Sequence, residues 1–138
     1  MTMNRIIVRI GSAIAGGALL AAAAWAGEPR FEGLVLSDAK GGAAKNVFSP
    51  KTPKVLLAAK LQDMPAGAKV KVVWITEKTK AAPPNYQIDA TEHTTSRGTN
   101  NATFALNGPN AGWPVGDYRV DLFINGKPAG TQRFSVKP

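Results

Sequence analysis

One histidine and two nearby carboxylates are the residues whose spacing most suggests chemistry. His93, the one histidine of the chain, follows Asp89 and Glu92. In a β-strand, side chains four positions apart point to the same face, so Asp89 and His93 would lie together. A closed zinc site usually takes about four protein ligands, however, and the chain has no cysteine. The pattern therefore favours a solvated histidine on an edge strand, and we expect no metal site and no cofactor.

Serine residues give two further patterns, both typical of hydrolases. Residues 37–40, Ser-Asp-Ala-Lys, match the S-x-x-K string of penicillin-recognising enzymes, but neither S-D-N nor K-T-G follows. Ser49 or Ser96 could join His93 and Asp89 in a triad. No nucleophile elbow and no glycine-built oxyanion hole accompanies these residues. We therefore expect no catalytic residue and no enzyme, with a hydrolase of unknown type as an alternative.

Lysine gives the chain its charge and indicates what kind of partner it suits. The 138 residues carry a net charge of +8, and the segment from Lys40 to Lys80 holds nine lysines and two acids. Such asymmetry would suit an anionic partner, for example a cell-envelope polymer. The segment has no arginine, the residue best suited to phosphates and base edges, so nucleic acid is not expected. A solvated lysine-rich face that keeps an exported protein in solution is the favoured interpretation of this segment.

Trp113 and Pro114 form the aromatic part of a predicted loop. An aromatic side chain on a loop can stack on a sugar or a peptide. Trp113 could equally cap the end of the domain beside Tyr118. The residue types alone leave both interpretations open, and the family resemblance given below favours the structural one.

The first 26 residues are typical of a secretory signal. Arg5 and Arg9 supply the positive start, and Ile10 to Ala24 is an apolar run without charge. Small residues at Ala24 and Ala26 suit signal peptidase. The run is shorter than the roughly 20 residues that a transmembrane helix needs. We predict cleavage that leaves residues 27–138 as a periplasmic or secreted domain without a transmembrane span.

Residues 27–138 alternate between apolar and polar positions in short runs, as β-strands do. Asn125-Gly126 separates two such runs, and this pair favours a type I′ turn, which needs positive φ at both residues. About seven strands with short turns predict an immunoglobulin-like antiparallel β-sandwich. The strands are predicted at Phe31–Ser37, Lys54–Gln62, Lys69–Lys78, Gln87–Thr94, around Phe104, and in the final hairpin.

The strand Lys69–Lys78 has a core face and an outer face. Trp74 shares the core face with Val70 and Val72, where immunoglobulin-like domains often bury a tryptophan. Because side chains alternate, the residues between them point outward, where an apolar centre with a charged rim would suit docking. Alternatively, the segment from Ala81 to Thr94 covers this face. The predicted interaction surface consists of Val73, Ile75, Lys69, Lys71 and Trp113.

Several short motifs resemble one family. They are Phe48-Ser49-Pro50, Trp74, residues 112–120 (Gly-Trp-Pro-Val-Gly-Asp-Tyr-Arg-Val), Asn125-Gly126-Lys127 and Phe134-Ser135-Val136. With these motifs the chain resembles small bacterial exported immunoglobulin-like domains that have no assigned activity. The resemblance implies the fold over the whole predicted mature chain and carries no catalytic motif.

The function expected from these observations is a non-enzymatic binding or protein-interaction module of the bacterial envelope or extracellular space. Its partner would be another envelope or extracellular protein. The alternatives are a binder of carbohydrate or of an anionic envelope polymer, and a hydrolase of unknown type.

Overall fold

The structure, a computed structural model, describes residues 27–138, so the predicted signal peptide at residues 1–26 lies outside the described residues. In the described part of the chain, no helix is long and apolar enough to cross a membrane. Its regular elements are β1 (Arg30–Ser37), β2 (Val47–Phe48), β3 (Lys54–Gln62), β4 (Lys69–Thr79), β5 (Tyr86–Thr94), β6 (Asn101–Asn107), β7 (Gly116–Ile124) and β8 (Lys127–Val136).

These strands form two sheets of unequal width. The smaller sheet has three strands in the order β1-β3-β6, and the larger has five in the order β2-β8-β7-β4-β5. Neighbouring strands are antiparallel, except that β2 runs parallel to β8. One buried cluster combines apolar residues of both sheets, as in a sandwich. The predicted all-β, two-sheet architecture is confirmed for residues 27–138.

The element that the sequence pattern did not predict is β2. It has two residues, Val47 and Phe48, which is too short for an alternating pattern to show. Phe48 is only 1% exposed, and its ring meets the Phe134 ring edge-on with the centroids 5.6 Å apart. The number of strands therefore rises from the predicted seven to eight because one buried aromatic residue pins a loop to the last strand.

Trp74 lies in the core, as predicted. It is fully buried together with Val70 and Val72 of the same strand, and the same cluster includes Leu57 and Phe104 of the smaller sheet. Alternation along β4 therefore directs one of its faces at the smaller sheet.

The final hairpin has the predicted turn. Asn125 and Gly126 have φ angles of 51° and 82°, the positive values that a type I′ turn requires. The turn is also tied to the start of β4, since the Asn125 N–H donates to the Lys69 carbonyl over 2.8 Å. The Lys69 N–H in turn donates to Asn125 Oδ1 over 2.9 Å.

Candidate functional site

Val73 and Ile75 point to the outer face of the larger sheet, but they are not exposed. Their exposed fractions are 8% and 9%. Val73 lies between Asp121 and Ala90 on the neighbouring strands, and Ile75 lies opposite Arg119 on β7. Side chains directly opposite each other on one face of a sheet are close enough to shield one another from solvent. The predicted apolar centre is therefore absent from the surface, and its role in binding stays untested.

The alternative prediction, that the segment from Ala81 to Thr94 covers this face, does not explain the burial of Val73 and Ile75. β5 does not fold over the face, since it pairs in the plane of the sheet beside β4, and in the turn before it Asn85 contacts Arg119 at the border of the face. Of the predicted rim, Lys69 is exposed and Lys71 is partly buried.

A network of charged side chains crosses the same outer face. Arg119 Nη1 lies 3.3 Å from Glu77 Oε2 and donates to Asn85 Oδ1 over 2.7 Å, while Arg119 Nε lies 3.1 Å from Asp121 Oδ2. Arg133 Nε contacts Glu77 Oε1 at 3.2 Å. Burial lowers the Arg119 pKa, but hydrogen bonds to Asp121 and Glu77 outweigh it and raise the pKa.

A polar groove of about 440 Å³ borders this network and includes Glu77, Asp117 and Arg133 in its lining. Its charged groups already have partners, because Glu77 is paired with arginine and Asp117 Oδ1 accepts a hydrogen bond from the Ser135 hydroxyl. The outer face is therefore a polar surface whose groups satisfy one another.

Trp113 is anchored in the sandwich and exposes only 4% of its surface. Its Nε1–H donates to the Thr52 carbonyl over 2.7 Å, and its backbone N–H donates to the Pro50 carbonyl over 2.8 Å. The indole meets the Tyr118 ring edge-on, with the centroids 5.9 Å apart. Of the two interpretations of Trp113, the structure shows the capping arrangement.

Tyr118 holds the loop before β7. Its hydroxyl donates to the carbonyl of Pro114, four residues upstream, which is the geometry of a tyrosine corner. Its ring stacks on Phe134 with the centroids 5.1 Å apart. Burial raises the pKa of Tyr118 to about 12.

The residues of the predicted chemical patterns have structural partners instead of one another. His93 packs its ring on Phe104, with the centroids 5.3 Å apart. Ser49 Oγ accepts a hydrogen bond from the Lys51 N–H, and Ser96 Oγ pairs with Thr99 Oγ1. Within residues 27–138, no group of three or more histidine, cysteine or carboxylate side chains is placed to hold a metal ion.

An apolar cleft opens at the edge of the sandwich beside β5. We call it the β5 cleft. Its walls include Tyr86 and Ile88, which are 52% and 39% exposed. Its volume is about 200 Å³, and no lysine, arginine, histidine or carboxylate lines it. The lining residues are Thr76, Thr79, Ala81, Ala82, Tyr86, Ile88, Asn107, Pro109, Trp113, Pro114 and Tyr118.

The cleft exists because the two sheets differ in width. β5 is the outermost strand of the five-stranded sheet, and the three-stranded sheet covers it incompletely. All but one of its nine residues are exposed, and the exception, Thr91, is partly buried. The apolar side chains at its start therefore face open space instead of a core.

The free edge of β5 presents backbone groups of alternate residues. The N–H and C=O groups of Lys69 both form hydrogen bonds with Asn125, which follows β7, so they point away from β5. Because these groups alternate in direction along a strand, those of Val70 point towards β5. Val70 lies opposite His93. His93 therefore bonds to β4, and its neighbour Glu92 has backbone groups that point outward from the sheet.

A carboxylate caps one amide near the middle of β5. Asp89 Oδ1 accepts a hydrogen bond from the Ala90 N–H over 2.9 Å. At this point β5 has a bulge opposite Trp74 and Ile75 of β4.

Sequence reasoning missed Tyr86 and Ile88. It started the edge strand one residue later, at Gln87, and gave no role to its apolar residues. The signal was present, since two large apolar residues two positions apart share one face of a strand. That this face is uncovered depends on the number of strands in the opposite sheet, which no local pattern shows.

Comparison with known proteins identifies the fold. No protein-family model matches the chain, and no curated protein matches it in sequence. Among solved structures, an immunoglobulin-like protein of Pseudomonas aeruginosa is similar, with a TM-score of 0.56 and 15% identity over 82% of this chain and 99% of that chain. The chain therefore has an immunoglobulin-like fold.

Two enzymes contain regions of the same shape. An alkylpurine DNA glycosylase of Pseudomonas fluorescens bound to abasic-site DNA gives a TM-score of 0.50 and 13% identity over 80% of this chain. A β-glucosidase of Listeria innocua in complex with gluconolactone gives 0.51 and 11% identity, also over 80%. The chain spans 31% of the glycosylase and 16% of the β-glucosidase. At these identities the likeness concerns the fold alone.

Proposed function

We propose that residues 27–138 form a non-enzymatic protein-interaction module, which binds an extended segment of a partner protein along β5. The observation that carries the proposal is the free edge of β5 together with the apolar cleft beneath it. An extended segment that adds to a sheet edge gains main-chain hydrogen bonds, and its alternate side chains enter adjacent pockets. β5 offers both features on one strand.

The size of the β5 cleft supports this type of ligand. Pockets for small molecules measure about 300–1,000 Å³, whereas this cleft has about 200 Å³. It suits individual side chains of a docked segment better than a whole small molecule. Its apolar lining favours aliphatic or aromatic side chains, with Tyr86 and Ile88 as the contacts on β5.

The proposed location is the periplasm or the extracellular space. It is supported by the signal pattern of residues 1–26 and by the resemblance to bacterial exported immunoglobulin-like domains. The partner would accordingly be an envelope or extracellular protein.

Proline at an outward-facing position of β5 tests the proposal. Glu92→Pro removes the outward N–H and obstructs the edge, while proline is tolerated in an edge strand whose N–H faces solvent. Glu92→Thr is the matched control, because it removes the same charge and keeps the N–H. Nonapeptides selected from a displayed random library on residues 27–138 should bind the Thr variant like the unmodified domain and the Pro variant about tenfold more weakly or worse.

Thermal unfolding of the two variants checks that both remain folded. A library that yields no binding peptide would overturn the proposal. So would selected peptides that bind the folded Glu92→Pro variant unchanged.

A further inference from the structure

We infer, on the basis of the proposed function, that the partner segment is a strand whose centre is apolar and uncharged and whose two ends carry acidic residues. The carrying observation is the position of four cations around β5. Lys78 and Lys80 lie near its start, and Lys69 and Arg97 lie near its end. We call these four residues the bracketing cations.

Strand register places the bracketing cations. Lys69 is directly opposite Thr94, the last residue of β5, and Arg97 follows in the next turn. At the other end, Tyr86 is opposite Thr76, so Lys78 lies two residues beyond this pair. Lys80 begins the turn that leads to β5.

These cations are available to a partner. All four are exposed, and none forms an ion pair within residues 27–138. Two carboxylates lie next to Lys78. Glu77, its neighbour in sequence, is held by Arg119 and Arg133, and Asp117, opposite Lys78 on β7, accepts a hydrogen bond from the Ser135 hydroxyl. The bracketing cations are therefore not tied up in ion pairs with acids of the described residues.

The middle of β5 has the opposite character. Asp89 and Glu92 are the charged side chains within the strand apart from the titratable His93, and the cleft has no charged lining residue. An acidic residue at the centre of a bound segment would meet like charges, which disfavours binding. The charge pattern of β5 therefore selects for acids at the ends of the segment and against them in its centre.

The length of β5 sets the distance between the acidic residues of the partner segment. β5 has nine residues, and a strand rises about 3.3 Å per residue, so its first and last residues are about 26 Å apart. Acidic residues about nine positions apart in the partner segment would reach both pairs of bracketing cations.

A second copy of this chain fits the edge poorly. Two β5 strands paired antiparallel would bring the start of one beside the end of the other. Lys78 and Lys80 of each copy would then face Lys69 and Arg97 of the other copy. Like charges at both ends oppose such a dimer, so a different protein with acidic flanks is the better occupant.

Synthetic peptides test the inference. A selected nonapeptide core is made with two glutamates, two serines or two lysines added at each end, and a fourth peptide carries two glutamates in the centre. Binding to residues 27–138 is measured by fluorescence polarisation at low and high salt. We expect the glutamate-flanked peptide to bind about tenfold more tightly than the serine-flanked one, because each exposed ion pair adds a few-fold. Added salt should reduce this difference.

Charge-reversed variants locate the effect. Lys78→Glu combined with Lys80→Glu should remove about half of the preference for glutamate flanks over serine flanks, measured on a logarithmic scale of affinity. Lys69→Glu combined with Arg97→Glu should remove the other half. The matched control is Lys54→Glu with Lys60→Glu, which makes the same change in net charge on β3 of the smaller sheet. The control should keep the preference for glutamate flanks.

The outcomes separate the two proposals. If all flanks bind equally while Glu92→Pro still weakens binding about tenfold or more, the inference is wrong and the proposed function stands. If no core peptide binds, the proposed function itself fails. Poly-glutamate that binds as tightly as the glutamate-flanked core would overturn the inference in favour of a general anionic polymer.

Discussion

At the scale of the residue, Trp74 fills the core with its ring, while its indole N–H forms no hydrogen bond within residues 27–138. Its ring is fully buried and lies edge-on to Phe134, with the centroids 6.3 Å apart. Its Nε1 has no acceptor among the described residues. A buried donor without an acceptor costs about 1–3 kcal/mol, which offsets part of the gain from burying the ring.

Substitution of Trp74 should separate these two contributions. Trp74→Ala leaves a cavity and should lower the free energy of unfolding by about 3–5 kcal/mol. Trp74→Phe keeps an aromatic ring and removes the unpaired donor, so it should cost clearly less. Denaturant midpoints measure both, and a Phe variant as unstable as the Ala variant would contradict this assignment.

Tyr118 should make the domain sensitive to alkaline pH. Burial raises its pKa to about 12 from 10.0. The neutral phenol is thus favoured in the folded state. Stability from this group is fully present below pH 10 and is lost as pH rises towards 12, by about 1.4 kcal/mol per pH unit. Urea unfolding at several pH values should show this loss, and Tyr118→Phe should lack that component while losing about 1 kcal/mol at neutral pH.

At the scale of the element, the loop between β6 and β7 depends on close packing at Gly108. A Cβ at this position would lie 2.6 Å from Trp113 Nε1 and 2.8 Å from the Thr52 carbonyl oxygen. The glycine therefore allows the hydrogen bond that anchors Trp113. Since Trp113 also lines the β5 cleft, the shape of the cleft depends on the same contact.

Gly108→Ala should displace Trp113 and destabilise the domain by about 1–3 kcal/mol. The selected peptides should also bind it more weakly, because the wall of the cleft moves. Asn110→Ala, at an exposed position of the same loop, serves as the control. Normal thermal stability and peptide binding of the Gly108 variant would argue against this coupling.

How much of each element could be predicted depends on how local its cause is. The alternation of β3 and the Asn125-Gly126 turn are local, and both are found where the sequence places them. The burial of Val73 and Ile75 was not predictable, because it arises from side chains on β5 and β7. The exposure of Tyr86 was missed for a similar reason, since it depends on the width of the opposite sheet.

At the scale of the whole molecule, the unequal sheets leave one side of the sandwich open. Three strands cover five incompletely, and the strand left over is the one beside the apolar cleft. Without Arg5 and Arg9, 15 basic and 9 acidic residues remain, a net charge of +6. On the outer face, by contrast, Glu77 and Asp121 neutralise Arg119. Unneutralised charge and uncovered apolar surface therefore meet at β5.

A strand that pairs with this edge must first displace the Asp89 carboxylate from the Ala90 N–H. An open strand edge is a template for accidental aggregation, and proteins protect such edges with charges and bulges. Asp89 provides both kinds of protection. Its carboxylate accepts a hydrogen bond from the Ala90 N–H, and the residue lies within the bulge of β5. Under the proposed function, a poorly matched strand would gain too little to displace that carboxylate, whereas a segment that also fills the cleft would gain more. The contact would then discriminate between chance encounters and a partner that fits.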